Sequence, residues 1–191
     1  MEKKTYPTRY WALLSVGAGI GLLASFLQTL EKLALLDNKN AQLACDINSV
    51  FSCSTVLSAP QSSLFGFPNS LICIIVFTTF LVTGLVGLTG GSVGKGMKKV
   101  LLGLAVFMLL FALWFLFTST FVIGSICIFC LFCFSGLLLV NDAIWHLTIG
   151  EVQLPQWLRS ATAKHFDIVL LVVLAMAVIC MVAIRFYISG S

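Results

Sequence analysis

The chain has 191 residues, of which 60% are hydrophobic and only 9% charged, with a formal net charge of +4 and a mean hydropathy of +1.08. So many apolar and so few charged residues exclude a water-soluble globular fold. The cations form no basic stripe, which excludes nucleic-acid binding. The expected class is an all-α membrane protein built as one domain over residues 1–191.

Five apolar runs, at about 11–30, 68–90, 99–120, 121–145 and 167–188, each approach the roughly 20 residues that a helix needs to cross a bilayer. The first is read as a retained span. It exceeds the usual 7–15 residues of a signal-peptide core and no small-residue cleavage box follows it. Five transmembrane helices are therefore predicted.

Between the first two spans lies a loop of about residues 31–67, which carries Cys45 and Cys53. Within it Val50, Cys53 and Leu57 recur at near-helical spacing, predicting a short helix at the membrane surface. Pro60 should end that helix, Gly66 should turn the chain, and Pro68 suits the first position of the second span. The link Thr89 to Lys99 is rich in Gly and Lys and predicts a solvated turn. A tight turn marked by Thr118, Ser119, Thr120, Gly124 and Ser125 separates the third and fourth runs. Leu154 to Phe166 places Leu154, Trp157, Leu158 and Ala161 on one face and predicts an interfacial helix.

Positive charge gives the orientation. Lys3, Lys4, Arg9, Lys95, Lys98, Lys99, Arg159 and Lys164 fall on one side, and only Lys32, Lys39 and Arg185 on the other. The N-terminus is thus expected in the cytoplasm, with the 31–67 loop and the C-terminus outside. That arrangement fits a cell (inner) membrane protein.

The cysteines carry the chemistry. Cys45 and Cys53 stand on the outer loop, and Cys127 and Cys130 form a CxxC just inside the outer end of the fourth span. All four face the oxidising side, where disulfides persist. Residues three apart on a helix share a face, so Cys127 and Cys130 can approach disulfide geometry. A helix N-terminus favours a thiolate there and an apolar setting opposes it. The other uses of these residues are apolar packing, a static loop disulfide and a tetrathiolate zinc site. The wide loop spacing and the half-membrane setting speak against zinc, and no metal is expected. His146 and His165 fall at the opposite face. Cys73, Cys133 and Cys180 lack partners at obvious spacing, although Cys133 continues the row from Cys130 and could approach a ligand. Asp46 is either a solvated charge or a tuner of Cys45. Asn69 either satisfies backbone amides or donates to a ligand carbonyl at the bundle mouth.

The run Cys45-Asp-Ile-Asn-Ser-Val-Phe-Ser-Cys53-Ser, then Pro60-Gln61, then Leu-Phe-Gly-Phe-Pro-Asn69, then Cys127-Ile-Phe-Cys130, resembles bacterial members of the vitamin K epoxide reductase family over about residues 10–145. The resemblance implies a four-helix bundle around a quinone of the ubiquinone, menaquinone or vitamin K type, capped by the loop's short helix, with the fifth span outside. It implies that Cys130 adjoins the quinone with Cys127 as its partner. Cys53 would exchange with Cys127, Cys45 would receive electrons from a thiol protein, and Asn69 would bind a quinone oxygen. Two positions depart from the family pattern. Phe134 stands in the quinone pocket where some members have tyrosine, and Ser58-Ala59 replaces two hydroxyl residues. Many relatives continue into a thioredoxin-like domain; here the expected partner is a separate thioredoxin-fold protein, with membrane lipid around the spans. The implied activity is quinone-dependent thiol oxidation that generates disulfides. Vitamin K epoxide reduction, or a non-catalytic protein with structural thiols, are the alternatives.

Overall fold

The computed structural model describes residues 8–38, 43–48, 50–149 and 166–189. Its elements are helices α1 (Thr8–Asp37), α2 (Cys53–Ser58), α3 (Asn69–Leu88), α4 (Lys95–Thr118), α5 (Ile128–Thr148) and α6 (Phe166–Ser189). A 3-10 turn spans Pro60–Ser63, and a π-turn spans Ser119–Ile123. Among the described residues there is no β-strand, only an isolated parallel bridge between Phe51 and Ile126.

Four helical segments are long and apolar enough to cross a membrane: Thr8–Asp37, Asn69–Leu88, Lys95–Ile123 and Ile128–Thr148. Helix α6 carries the shorter apolar stretch Leu171–Ile184. The chain is therefore a multi-pass membrane protein, all-helical among the described residues, with four helices fit to cross the membrane and a further, shorter apolar one. The helix expected over Leu154 to Phe166 falls largely outside the described residues.

Three boundaries differ from the expectation. Helix α1 runs for 30 residues to Asp37, so the loop begins later than residue 31. At 1.5 Å per residue such a helix outreaches the roughly 30 Å hydrocarbon layer. Glu31, Lys32, Ala34 and Leu35 are good helix formers, and the end of α1 is held by packing, since Leu35 belongs to the same buried cluster as Cys45, Cys53 and Cys127. The third crossing continues through the π-turn to Ile123, and the fourth starts at Ile128 instead of about 121. Hydropathy is continuous across this join, so the break is set by backbone geometry. Gly124 adopts φ 83°, Gly124 and Ser125 donate their amides to the Ser119 carbonyl at 2.9 and 3.2 Å, and Ser119 Oγ donates to the Ser125 carbonyl at 2.5 Å.

Helix α1 packs against α3 and α5, and α4 packs against α5. Lipid offers no hydrophobic drive between helices, so close approach through small residues does the work. Gly17 and Gly21 of α1 meet Gly136 of α5 backbone to backbone: a Cβ at Gly136 would stand 2.7 Å from the Gly17 carbonyl oxygen and 3.0 Å from the Gly21 nitrogen. Gly21 also receives the ring of Phe77 from α3. Asn141 of α5 donates to the Ala105 carbonyl of α4 at 3.1 Å, a polar tie inside the bundle. These contacts hold α1 and α4 against α5 through the middle of the bundle, and the two cysteine pairs lie at the end where α5 begins.

Candidate redox site

The segment before α2 is pinned by side chains that suit turns. Asn48 Oδ1 accepts from the amides of Val50 and Phe51 at 2.9 and 2.8 Å, the local bonding that asparagine favours in turns. Ser52 caps α2, its hydroxyl accepting from the Thr55 amide. Asp46 accepts from the Ser52 hydroxyl at 3.1 Å and from the Ser54 amide at 3.0 Å. Burial opposes ionisation of Asp46, but these bonds outweigh it and hold its carboxyl below the usual value. Pro60 opens the 3-10 turn, so α2 stops where the sequence indicates. Lys32 of α1 donates its ammonium to the Leu57 carbonyl at the end of α2 and to Ser62 Oγ at 3.1 Å.

Cys45 and Cys53 are joined as a disulfide. Cys127 and Cys130 are thiols, and both are buried, as is Cys53. Cys53 Sγ and Cys127 Sγ lie 3.2 Å apart. The two backbones meet as well, because the Ile126 amide donates to the Val50 carbonyl at 2.7 Å. One correction concerns Cys127, which lies outside the helix: it is the N-cap of α5, with extended φ −90° and ψ 124°. The amides of Cys130 and Leu131 donate to its carbonyl at 3.1 and 3.3 Å. The CxxC thus straddles the start of α5, with one thiol on extended chain and the other on the first helical turn. A hydrogen bond from the Cys130 thiol, and further bonds from the backbone amides of Cys130 and Phe129, pull Cys127 below the ordinary thiol value despite its burial.

Beyond Cys130 a cavity opens with ≈ 50 Å³ of free space, walled by Phe77, Met108, Phe111, Phe115 and Leu137 and edged by Gln28, Asn69, Ser70, Cys73 and Cys133. Asn69, at the first residue of α3, lines it while closing the turn below: its Nδ2 donates to the Gln61 carbonyl at 2.7 Å, and its Oδ1 accepts from the Leu64 amide at 3.2 Å. Phe134 does not line this cavity. On a helix with 3.6 residues per turn, it stands about 40° to one side of Cys130, whereas Cys133 stands about 60° to the other. The cavity is on the Cys133 side. Phe134 faces instead a larger groove of ≈ 480 Å³ between α5 and α6, with Leu131, Leu138, Val178 and Val182.

His146 lies near the other end of α5, stacked on Tyr10 with ring centroids 4.5 Å apart. His165 lies outside the described residues. Among the described residues no cluster of three or more His, Cys, Asp or Glu side chains could hold a metal. Cys180 is exposed on α6, away from the cavity.

The disulfide of the loop before α3 thus touches a buried CxxC at the head of α5, in a bundle of four apolar helices. The family model described as "Vitamin K epoxide reductase family" matches residues 12–141. The chain belongs to that family. The vitamin K epoxide reductase family consists of membrane oxidoreductases that work through cysteines, and the matched span contains all four cysteines of the two pairs. Comparison with curated proteins gives no match.

Two residues of the site were not singled out from the sequence. Gln28 and Lys32 stand in or next to the first apolar run, where hydropathy averages them away. The signal available was their polarity inside a span, which marks a functional candidate by default.

Proposed function

We propose that this chain is a quinone-dependent thiol oxidase of the membrane, which generates disulfides by passing electron pairs from an extracytoplasmic thioredoxin-fold protein through Cys45/Cys53 and Cys127/Cys130. The observation that carries the reading is the 3.2 Å contact between Cys53 Sγ of the loop disulfide and Cys127 Sγ. Thiol–disulfide exchange requires such an approach between the attacking and attacked sulfurs.

In the proposed direction, the partner's dithiol reduces the Cys45–Cys53 bond by attack at Cys45, and the partner leaves as a disulfide. The Cys53 thiolate then attacks Cys127 of a Cys127–Cys130 disulfide. A Cys53–Cys127 bond forms and the electron pair moves onto Cys130. Cys45 next attacks Cys53, restoring the loop disulfide and leaving Cys127 and Cys130 as thiols. The arrangement described above, with the loop pair joined and the inner pair reduced, corresponds to the end of that sequence.

A quinone would accept the two electrons and two protons released from the two thiols as the Cys127–Cys130 bond re-forms. The cavity beside Cys130 suits such a ring by its chemistry, with flat aromatic and aliphatic walls and polar groups along one edge. Its ≈ 50 Å³ is small against the roughly 300 Å³ of an ordinary ligand pocket. Entry therefore requires Met108, Phe111 or Phe115 to turn aside, and an unbranched methionine adapts readily. An amide nitrogen has two hydrogens; the Asn69 amide gives one to Gln61 and keeps the second for a quinone oxygen. In this reading α6 is a fifth crossing, and the cysteine end faces out of the cytoplasm.

The test is quinone-dependent oxidation of a dithiol by the purified full chain. Turnover lost in Cys130→Ser and in Cys127→Ser supports the relay. Turnover that persists in both overturns it.

A further inference from the structure

Among the polar side chains that α1 directs toward the bundle and its cap near the cysteine end are Ser25, Gln28, Thr29 and Lys32. Three have structural partners. Ser25 Oγ donates to the Gly21 carbonyl at 2.8 Å, Thr29 Oγ1 donates to the Ser25 carbonyl and is hydrogen-bonded with Ser70 Oγ, both at 2.8 Å, and Lys32 holds the end of α2. Gln28 differs. Its Nε2 donates to Cys130 Sγ at 3.6 Å, and the two residues are only 8% and 9% exposed.

A buried amide is costly in apolar surroundings unless its hydrogens are bonded. A neutral thiol is a weak acceptor for such a bond, and a thiolate is a strong one. Leucine would pack at this position without the desolvation cost. The amide is useful when Cys130 sulfur carries charge.

We infer that Gln28 is a catalytic residue whose N–H holds the negative charge arriving on Cys130 Sγ as that sulfur leaves Cys127. The inference rests on the relay proposed above. In that step the Cys53 thiolate attacks Cys127 Sγ, the Cys53–Cys127 bond forms, the Cys127–Cys130 bond breaks, and the electron pair goes to Cys130. A better-stabilised leaving thiolate leaves faster. Besides the N-terminus of α5, whose first turn carries Cys130, no other source of positive charge lines the cavity among the described residues. Among the described residues lining the cavity, the titratable groups are Cys73 of α3 and Cys133 of α5, together with Cys130 itself. Lys32, one turn further along α1, is engaged with Leu57 and Ser62, and Asp46 is bound to Ser52 and Ser54 at the loop. The amide of Gln28 is the donor aimed at the sulfur from α1.

The test isolates Cys130 by Cys127→Ser in the full chain and follows its alkylation by N-ethylmaleimide across pH. Mass spectrometry of the peptide separates it from Cys73 and Cys133. In Gln28→Leu the alkylation midpoint is expected to rise by about one pH unit or more, a tenfold loss of thiolate at a given pH. Gln28→Asn keeps an amide but falls one methylene short of the sulfur, so it should show the same rise and serves if the leucine variant does not fold. With all four cysteines present, both variants should lose about tenfold in quinone-dependent turnover. An unmoved midpoint in both variants overturns the role of Gln28 and leaves the relay standing. The alkylation needs neither quinone nor partner. A raised midpoint combined with no quinone-dependent oxidation by the unaltered protein overturns the relay and with it the catalytic role.

Discussion

Lys32 on α1 caps the C-terminal end of α2 by donating its ammonium to the Leu57 carbonyl oxygen. A six-residue helix cannot hold itself together in isolation, so the position of Cys53 depends on such ties. Ser62 Oγ also donates to the Leu57 carbonyl, at 2.6 Å, and Lys32→Met should therefore loosen α2 without releasing it. A loss of about 1–2 kcal/mol is expected. The measurement is hydrogen exchange over residues 50–58 together with the rate at which dithiothreitol opens the Cys45–Cys53 disulfide. Both should rise, and Lys32→Arg should retain most of the protection.

Removing the outermost sulfur frees its neighbour. In Cys45→Ser, combined with Cys130→Ser, Cys53 and Cys127 are left as a pair already 3.2 Å apart. Peptide mapping after thiol blocking should find them joined. A protein whose Cys53 and Cys127 both stay alkylatable under mild oxidation would contradict the contact.

The converse variant, Cys53→Ala, leaves Cys45 with no resolving sulfur. A reducible adduct between Cys45 and an extracytoplasmic thioredoxin-fold protein should accumulate in cells. Its absence would count against the proposed partner.

Thiol exchange at Cys127 should depend on pH in a defined direction. The hydrogen bond from Cys130 lowers the value of Cys127, so its thiolate forms as pH rises through a midpoint below the ordinary thiol range. The rate at which reduced Cys127 opens the Cys45–Cys53 disulfide should climb through that midpoint and then level off. In Cys130→Ala the largest cause of the lowering is gone, and the climb should move to higher pH. A stopped-flow series under excess trapping reagent reads both profiles.

Asp46 predicts a second effect, in acid. Hydrogen bonds from Ser52 and Ser54 hold its carboxyl low in the folded protein, so its contribution is fully present above the unfolded value of about 3.9. It is lost as pH falls through the folded value. Asp46→Asn should reduce protection of the 43–58 segment at neutral pH, and the two proteins should converge in strong acid. Proteolysis of that segment as a function of pH is a direct measurement.

Gly136→Ala tests the bundle. Its new methyl would stand 2.7 Å from the Gly17 carbonyl oxygen, and backbone can yield only by parting α1 from α5. Overpacking of this kind costs about 1–3 kcal/mol. The melting temperature should fall, and because Gln28 and Cys130 stand on the same two helices, dithiol oxidation should fall too.

The four crossings were legible because their apolar runs are long, and Pro60, Gly66 and Gly124 marked real turns. The joint between α4 and α5 was misplaced by several residues for a definite reason. Hydropathy is continuous there, while the break depends on the Ser119 and Ser125 bonds and the left-handed Gly124, all of which are local geometry. Both cysteine pairs were visible from residue type and spacing, whereas the 3.2 Å approach of Cys53 to Cys127 depends on tertiary packing. Phe134 is put in the pocket by the family pattern, at the position where some members have tyrosine. Its direction depends on the rotation of α5 against its neighbours, which composition does not encode. Gln28 escaped notice because one amide barely changes the average over a window of apolar residues.

The extended backbone at Cys127 has a further consequence. Cys130 is carried on the first turn of α5, and its sulfur moves only as far as a helical side chain allows. Cys127 precedes that turn on extended backbone, and its sulfur meets both neighbours at once, Cys53 Sγ at 3.2 Å and the Cys130 thiol through the hydrogen bond described above. In the proposed relay, exchange at Cys127 would therefore need side-chain adjustment alone, with no rearrangement of the membrane helices.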